Sequence, residues 1–370
     1  MFLTRLETGD EVHRYQKALV VSLAGRRRVL STGPINGGLS ENLTAVFNHD
    51  GTRGAGMAIQ LKAPTYAEHM VLLSRELGLD PDHTTGISTA AQMENVSIKT
   101  ERYKDIAVTA VVTGGVETNG GRAGDPASWD ELSKKSLLES TSTQGTINIM
   151  LFISVDLTES ALTRSLVTCT EAKTAALQEL AAPSRYSRGL ATGSGTDGTI
   201  IVANAESPLT LENSGKHVKL GELIGRAVKA AVKEALKLQS GLVPARQHDV
   251  LKRVDRFGIT AQSLWSAIGI PEPAGPTVKA HYALLLEELL REGPLVTAAV
   301  LYAHLMDQVD WALLSPEEVT APANALLEQM GVSRRLEPLP EDIENTITAM
   351  TRTLEDALAE LLRRKMQDRE

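Results

Sequence analysis

The sequence predicts an α/β domain with a mixed sheet and covering helices, followed by an all-helical domain. A layered αββα sandwich is one form the first part can take. Three observations lead there. The chain has 370 residues, too many for one ordinary core. In residues 1–242, short β-branched apolar runs are interspersed with stretches of helical spacing. After Leu242-Val-Pro244 the composition changes, and helical stretches follow one another with prolines between them and no convincing strand.

Taken in order, residues 18–24 are an apolar run of strand length. Gly25 and Arg26-Arg27-Arg28 follow, then residues 29–32, which together predict a hairpin with a solvated, charged tip. Residues 32–38 hold too much Gly and Pro for a regular element. Residues 65–77 have apolar positions at helical spacing, and Gly78 is placed as a left-handed cap. Residues 106–113 read as a strand that runs into a loop at 114–125 with five glycines in twelve residues. Residues 130–142 are polar and predict a surface segment. A long strand at 146–155 and a helix at 158–180 come next. Short strands at 188–192 and 199–203 flank the loop 193–198, and 220–238 is an amphipathic helix. Beyond Pro244, helices are expected at 246–255, 276–291, 295–314, 317–330 and 341–367. The last carries an apolar stripe from Ile343 to Leu362, which must pack on this domain's core or on a second subunit of a homo-oligomer.

Composition narrows the function. A net charge of -8 and an aromatic share of 4% argue against a nucleic-acid binder. No stretch has the roughly 20 apolar residues of a membrane span, and the first residues lack a signal-peptide pattern. A cytoplasmic protein without membrane insertion is the expectation. The lone Cys169 lies in a helical segment and reads as a small core residue.

Three Gly-rich polar loops each leave the end of an apolar strand, where binding and catalytic groups commonly sit. They predict one shared polar cleft built from 114–125, 193–198 and 215–217, with tight turns as the alternative. No phosphate-loop or dinucleotide signature occurs, and the eight His lack metal-ligand spacing, so no metal is expected. His217 precedes a helix and is placed to accept a proton. His49, in Phe47-Asn-His-Asp50, is a second candidate. Glu171 and Lys173 are two apart in a helix, so they do not share a face.

Several blocks carry a family resemblance: VTGGVETNGGRAGDPA (112–127), GTINIMLFISVDLTESALTRSLVTCTEAKTAALQEL (145–180), ATGSGTDGTIIVAN (191–204) and GKHVKLGELIGRAVKAAVKEAL (215–236). STGPINGG (31–38) and ISTAAQMEN (87–95) add to them. Over residues 18–240 the chain resembles the adenosylcobinamide amidohydrolase (CbiZ) family. The first block departs from the shorter family form, which reads closer to TAGVTNA. The resemblance implies an α/β domain at 1–242 that hydrolyses the amide joining the aminopropanol arm to the corrin ring. The product is adenosylcobyric acid for cobalamin salvage. The corrinoid is then substrate, and no cofactor is implied. The helical domain at 245–370 lies outside the resemblance and has no assigned role.

An amide hydrolase needs an activated nucleophile and donors for an oxyanion. Asp197, His217, Asn119 and Asp125 are the expected catalytic side chains. Gly114, Gly115, Gly120, Gly121, Ser194, Thr196, Glu171 and Lys173 are the expected substrate-binding residues. In one arrangement Asp197 or His217 activates water. In another a hydroxyl attacks, from Thr146, Ser194 or Thr196. Gly145-Thr146 at the head of an apolar strand resembles the layout of self-cleaving hydrolases with an N-terminal nucleophile, and it is also an ordinary strand-to-helix unit. A corrinoid-binding protein without turnover and a hydrolase of another large amide or ester are the competing classes.

Overall fold

The computed structural model describes residues 1–52, 61–133, 135–136, 145–270 and 275–368. The chain divides into two compact units, Met1–Val243 and Pro244–Glu370. The longer strands of the first unit are β1 (Phe2–Arg5), β2 (Glu11–Tyr15), β3 (Ala18–Ser22), β4 (Arg27–Ser31), β5 (Gly38–Ser40), β6 (Ala45–Asp50), β7 (Thr84–Thr89), β8 (Ser97–Tyr103), β9 (Ile106–Gly115), β10 (Thr146–Ile153) and β11 (Gly198–Asn204). Its helices are α1 (Tyr66–Glu76), α2 (Glu159–Glu179) and α3 (Lys219–Ser240).

Two mixed sheets stack. One has the order β1-β2-β3-β6-β7, antiparallel except for β6 beside β7. The other has the order β5-β4-β11-β10-β9-β8, antiparallel except for β10 beside β11. Alternate side chains on a strand face opposite sides, and β10 uses both. Met150 and Phe152 pack with Val111, Ile200 and Val202 against Leu19, Val21, Val46 and Ile87 of the first sheet. Ile147, Ile149 and Leu151 face the other way, onto Ala172 and Ala176 of α2 and Ile224, Ala227 and Ala231 of α3. On its outer side the first sheet buries Val20 and Phe47 against Met70 and Leu73 of α1. The layers are therefore α, β, β, α, the sandwich form of the α/β expectation.

Local chemistry sets the helix ends. Thr65 and Glu68 form a reciprocal capping box at the start of α1. The Thr158 side chain accepts from the Ala161 N–H at the start of α2. Gly241, at φ 69°, closes α3 in a left-handed cap.

Two expectations need correction. Residues 18–24 and 29–32 do not pair as a hairpin. β3 bonds to β2 and β6, whereas β4 bonds to β11 and β5, so Gly25 and its arginines carry the chain from one sheet to the other. The arginine run is accordingly not all solvated. Arg27 is 2% exposed and fully engaged with Asp10, which is 0% exposed. The other correction concerns 188–192, which is no strand; the short ladder there is Gly193–Ser194 against Gly120–Gly121. Of the polar segment 130–142, residues 134 and 137–142 lie outside the described residues.

The second unit holds α4 (Val250–Val254), α5 (Ala261–Ile268), α6 (Pro276–Leu289), α7 (Gly293–Asp310), α8 (Pro316–Gln329) and α9 (Ile343–Gln367), with no strand among its described residues. Ile347, Met350, Leu354, Leu358 and Leu362 of α9 are buried in this unit's own core with Tyr302, Trp265 and Leu327. The Tyr302 hydroxyl donates to the Met350 carbonyl at 3.0 Å, and Arg256 makes a bidentate pair with Asp307 at 2.6 and 2.7 Å.

Candidate active site

The first two Gly-rich loops meet at the head of β10. Gly120 and Gly121 pair with Ser194 and Gly193 in an antiparallel bridge. Gly120 has a physical reason to be glycine: a Cβ there would lie 2.9 Å from the Val116 carbonyl oxygen and 3.0 Å from that of Pro183. Gly114 and Gly115 end β9, with Gly115 opposite Thr146.

Asp197 is the hub of the 193–198 loop. Its carboxylate accepts from the Ile147 N–H at 2.8 Å, the Ser194 N–H at 3.0 Å and the Ser194 hydroxyl at 2.6 Å. Lys173 supplies a fourth donor as a close ion pair, with both side chains little exposed. A carboxylate offers about four lone-pair sites. All four are taken, so Asp197 has none left to receive a proton from water unless a bond breaks. Beside it the Thr146 and Thr196 hydroxyls are 2.6 Å apart, and Thr196 donates to the Gly145 carbonyl at 3.1 Å. Asn119 also donates to that carbonyl, through Nδ2 at 2.9 Å, while its Oδ1 accepts from the Tyr186 hydroxyl at 2.6 Å. Asn119 is buried.

The remaining expected site residues sit elsewhere. Asp125 accepts from the Arg122 N–H at 2.7 Å and the Ser184 hydroxyl at 2.6 Å. Burial works to raise its pKa, but the Ser184 and Ser187 hydroxyls and the Arg122 N–H outweigh that and hold it below the ordinary carboxylate value. It fastens the loop. His217 is exposed and makes no hydrogen bond among the described residues. Its segment docks on α2: Thr168 donates to the Ser214 carbonyl at 2.9 Å, and Lys216 pairs with Glu171 at 2.8 Å on the surface. The structure thus joins Asn119, Gly120, Gly121, Ser194, Thr196, Asp197 and Lys173. Glu171, two positions from Lys173 and so on another face of α2, pairs with Lys216 instead; among the described residues no hydrogen bond or ion pair joins Glu171 or His217 to this centre, unlike the shared cleft expected of the three loops.

Tyr186 is a member of this centre that the sequence did not single out; it lies in a Ser- and Arg-rich stretch with no periodicity. Nor did the sequence point to a polar chain buried between the sheets. Asn48 Nδ2 donates to Thr113 Oγ1 at 2.8 Å, Asn148 Nδ2 donates to Asn48 Oδ1 at 2.8 Å, and Asn148 Oδ1 accepts from the Gly198 N–H at 2.9 Å. These bonds tie β6, β9, β10 and the first residue of β11 into one frame.

Cys169 is buried and its thiol is pushed up to about 12 by that burial, so no thiolate forms near neutral pH. Among the described residues, no three His, Cys, Asp or Glu side chains gather to hold a metal ion. No described helix is long and apolar enough to cross a membrane.

His49 lies on the α1 side of its sheet. Its Nδ1 is buried without a partner, and burial lowers its pKa to about 4, against the opposing pull of Asp50. Nearby His69 accepts the Lys62 N–H at Nδ1, 3.1 Å away, so its proton is on Nε2, a buried donor with no acceptor. Unfolded, His49 takes a proton near pH 6.5; folded, it refuses one until about pH 4. The contribution is constant above 6.5 and is lost as pH falls through that window, on the order of 3 kcal/mol at the lower end. Urea midpoints measured from pH 7 to pH 4.5 should fall more steeply for the wild type than for His49→Gln. Equal slopes would remove His49 from the acid sensitivity.

Residues 3–244 match the model of the family described as CbiZ, adenosylcobinamide amidohydrolase. A protein of Methanocaldococcus jannaschii described as uncharacterized is 31% identical over 228 residues, which are 60% of this chain and 86% of that protein.

Proposed function

The chain belongs to the adenosylcobinamide amidohydrolase family, and from that premise we propose that it hydrolyses the amide joining the aminopropanol arm to the corrin ring of adenosylcobinamide. The products are adenosylcobyric acid, which re-enters cobalamin assembly, and aminopropanol. One observation supports this reading above the rest. The Asn119 amide and the Thr196 hydroxyl both donate to a single amide carbonyl, that of Gly145, and the Thr146 hydroxyl, next in the chain, meets that of Thr196. A nucleophile with two donors is what acyl transfer from an amide requires.

Of the two mechanisms open from sequence, this geometry favours hydroxyl attack. Thr146 Oγ adds to the substrate carbonyl carbon while Asn119 and Thr196 donate to the oxyanion. The carbon–nitrogen bond breaks, aminopropanol leaves with a proton, and water then releases the acid from the Thr146 ester. Asp197 and Lys173 hold the loop that carries Ser194 and Thr196. The corrinoid enters as substrate, and these steps call on no cofactor.

The test is incubation of the purified protein with adenosylcobinamide, followed by chromatography. Adenosylcobyric acid and aminopropanol should appear in equal amounts. Tight binding without product would make it a corrinoid carrier or sensor instead. Neither binding nor product would point to a different large amide or ester.

A further inference from the structure

We infer that the chain cleaves its own peptide bond between Gly145 and Thr146, so that Thr146 becomes the N-terminal residue of a second polypeptide. The inference rests on the amidohydrolase reading for its purpose and on the geometry at Gly145 for its chemistry.

In this centre the chain's own amide occupies the place of a substrate. The Gly145 carbonyl oxygen can only accept, so the NH2 group of Asn119 must face it, and Tyr186 fixes that orientation by donating to Asn119 Oδ1. Thr196 gives the same oxygen its hydroxyl proton, which leaves the Thr196 oxygen to accept from Thr146. A buried backbone carbonyl has two lone pairs, and here side chains fill both. They are the donors that an oxyanion on Gly145 would need. Gly145 also has to be glycine: a Cβ would lie 2.8 Å from the Gly115 carbonyl oxygen and 3.0 Å from Asn119 Cβ. Without one, the carbonyl can sit against Asn119. On the other side of the bond, Thr146 stands opposite Gly115 in the ladder and the Ile147 N–H is tied to Asp197, so the nucleophile is held in place.

The step balances with water alone. Thr146 Oγ adds to the Gly145 carbonyl carbon and the bond to the Thr146 nitrogen breaks. The hydroxyl proton ends on that nitrogen, and the chain is joined for the moment through an ester. Water cleaves the ester to a Gly145 carboxylic acid and a Thr146 with free hydroxyl and free α-amine. The gain is twofold. The new Gly145 carboxylate is no longer tied to β10, and once it moves away Asn119 and Thr196 can donate to a substrate amide. The new α-amine, with an ordinary pKa of about 8, supplies the base that the Thr146 hydroxyl otherwise lacks.

Intact mass spectrometry of the full-length protein, purified, denatured and free of any corrinoid, tests this. The expected result is two polypeptides of 145 and 225 residues, together one water heavier than the whole, with the second beginning at Thr146. Thr146→Ala should remain one chain. Thr146→Ser should cleave, which separates loss of the hydroxyl from a failure to fold. Asn119→Ala should slow cleavage by about 10²- to 10³-fold, the usual effect of losing one oxyanion donor. A wild-type protein that stays a single 370-residue chain through prolonged incubation overturns the inference. So does cleavage of Thr146→Ala at the same bond. A single chain that still hydrolyses adenosylcobinamide sinks self-cleavage and leaves the amidohydrolase reading standing. Cleavage at Gly145–Thr146 with no turnover does the reverse.

Discussion

Asp197→Ala should destabilise the first unit by about 3 to 5 kcal/mol, the usual cost of stranding one member of a buried ion pair. The alanine leaves the Lys173 ammonium, on a side chain only 12% exposed, without its carboxylate. It also leaves the Ile147 and Ser194 N–H groups and the Ser194 hydroxyl without an acceptor. Asp197→Asn should be damaging too, because an amide turns its NH2 toward a cluster made of donors. Pairing it with Lys173→Met should recover part of the loss. Hydrogen exchange on peptides covering β10 and α2 reads this directly, since faster exchange there reports cheaper opening. If Asp197→Asn exchanges like the wild type but turns over no adenosylcobinamide, Asp197 is a base and not a clamp.

The sequence carried the elements that are long and strongly periodic. β9, β10, α2 and α3 run from 8 to 22 residues, and each repeats its apolar positions often enough to be read. Most of the first sheet was not legible, for physical reasons. β1 and β2, and β8 at the edge of the second sheet, each lie at or next to a sheet edge and carry charged residues, such as Glu11-Val-His-Arg-Tyr15, so little of their pattern is apolar. β6, inside the sheet, and β7, at its other edge but buried along its whole length, contain Asn48 and Thr85. Those polar groups are tolerated because Asn48 bonds to Thr113 and Asn148, and Thr85 to Ser31 and the Ile35 carbonyl. A buried polar chain has no signature until its partners are known, since Asn48 and Asn148 are 100 positions apart.

For the candidate site, residue type and loop position singled out several residues that the structure brings together, but not their pairings. Ser194, Thr196 and Asp197 stood out as polar side chains among glycines, and Asn119 did so in the other loop. What they bond to depends on Gly120 and Gly121 pairing with Ser194 and Gly193, a contact made across more than 70 positions of chain. His217 stood out because it is a titratable group before a helix. Nothing local could say that its segment fastens to Thr168 and Glu171 instead of to Asp197.

Arg27 is the case in which reading a charge run as a solvated tip is most wrong, and it sets the second large effect. Its guanidinium donates to Asp10 through Nε at 3.2 Å and Nη2 at 3.0 Å, to the Thr8 carbonyl at 2.7 Å and to Asn204 Oδ1 at 3.0 Å. Asp10 in turn accepts from the Ala24 N–H at 2.7 Å and the Thr8 hydroxyl at 2.6 Å. This network closes the crossing from β3 to β4, where the chain leaves one sheet for the other. Arg27→Met would bury the Asp10 carboxylate without a cation, a loss of about 3 to 5 kcal/mol. In a unit of this size that lowers Tm by roughly 6 to 20 °C. Arg27→Lys should restore little of it, because one ammonium cannot reproduce the planar fork that reaches Asp10, Thr8 and Asn204 together. Adding Asp10→Asn to Arg27→Met should recover stability, since the uncompensated charge is then gone. Thermal unfolding of these variants decides the point. A Tm for Arg27→Met within 2 °C or so of the wild type would mean that the two sheets do not depend on this ion pair.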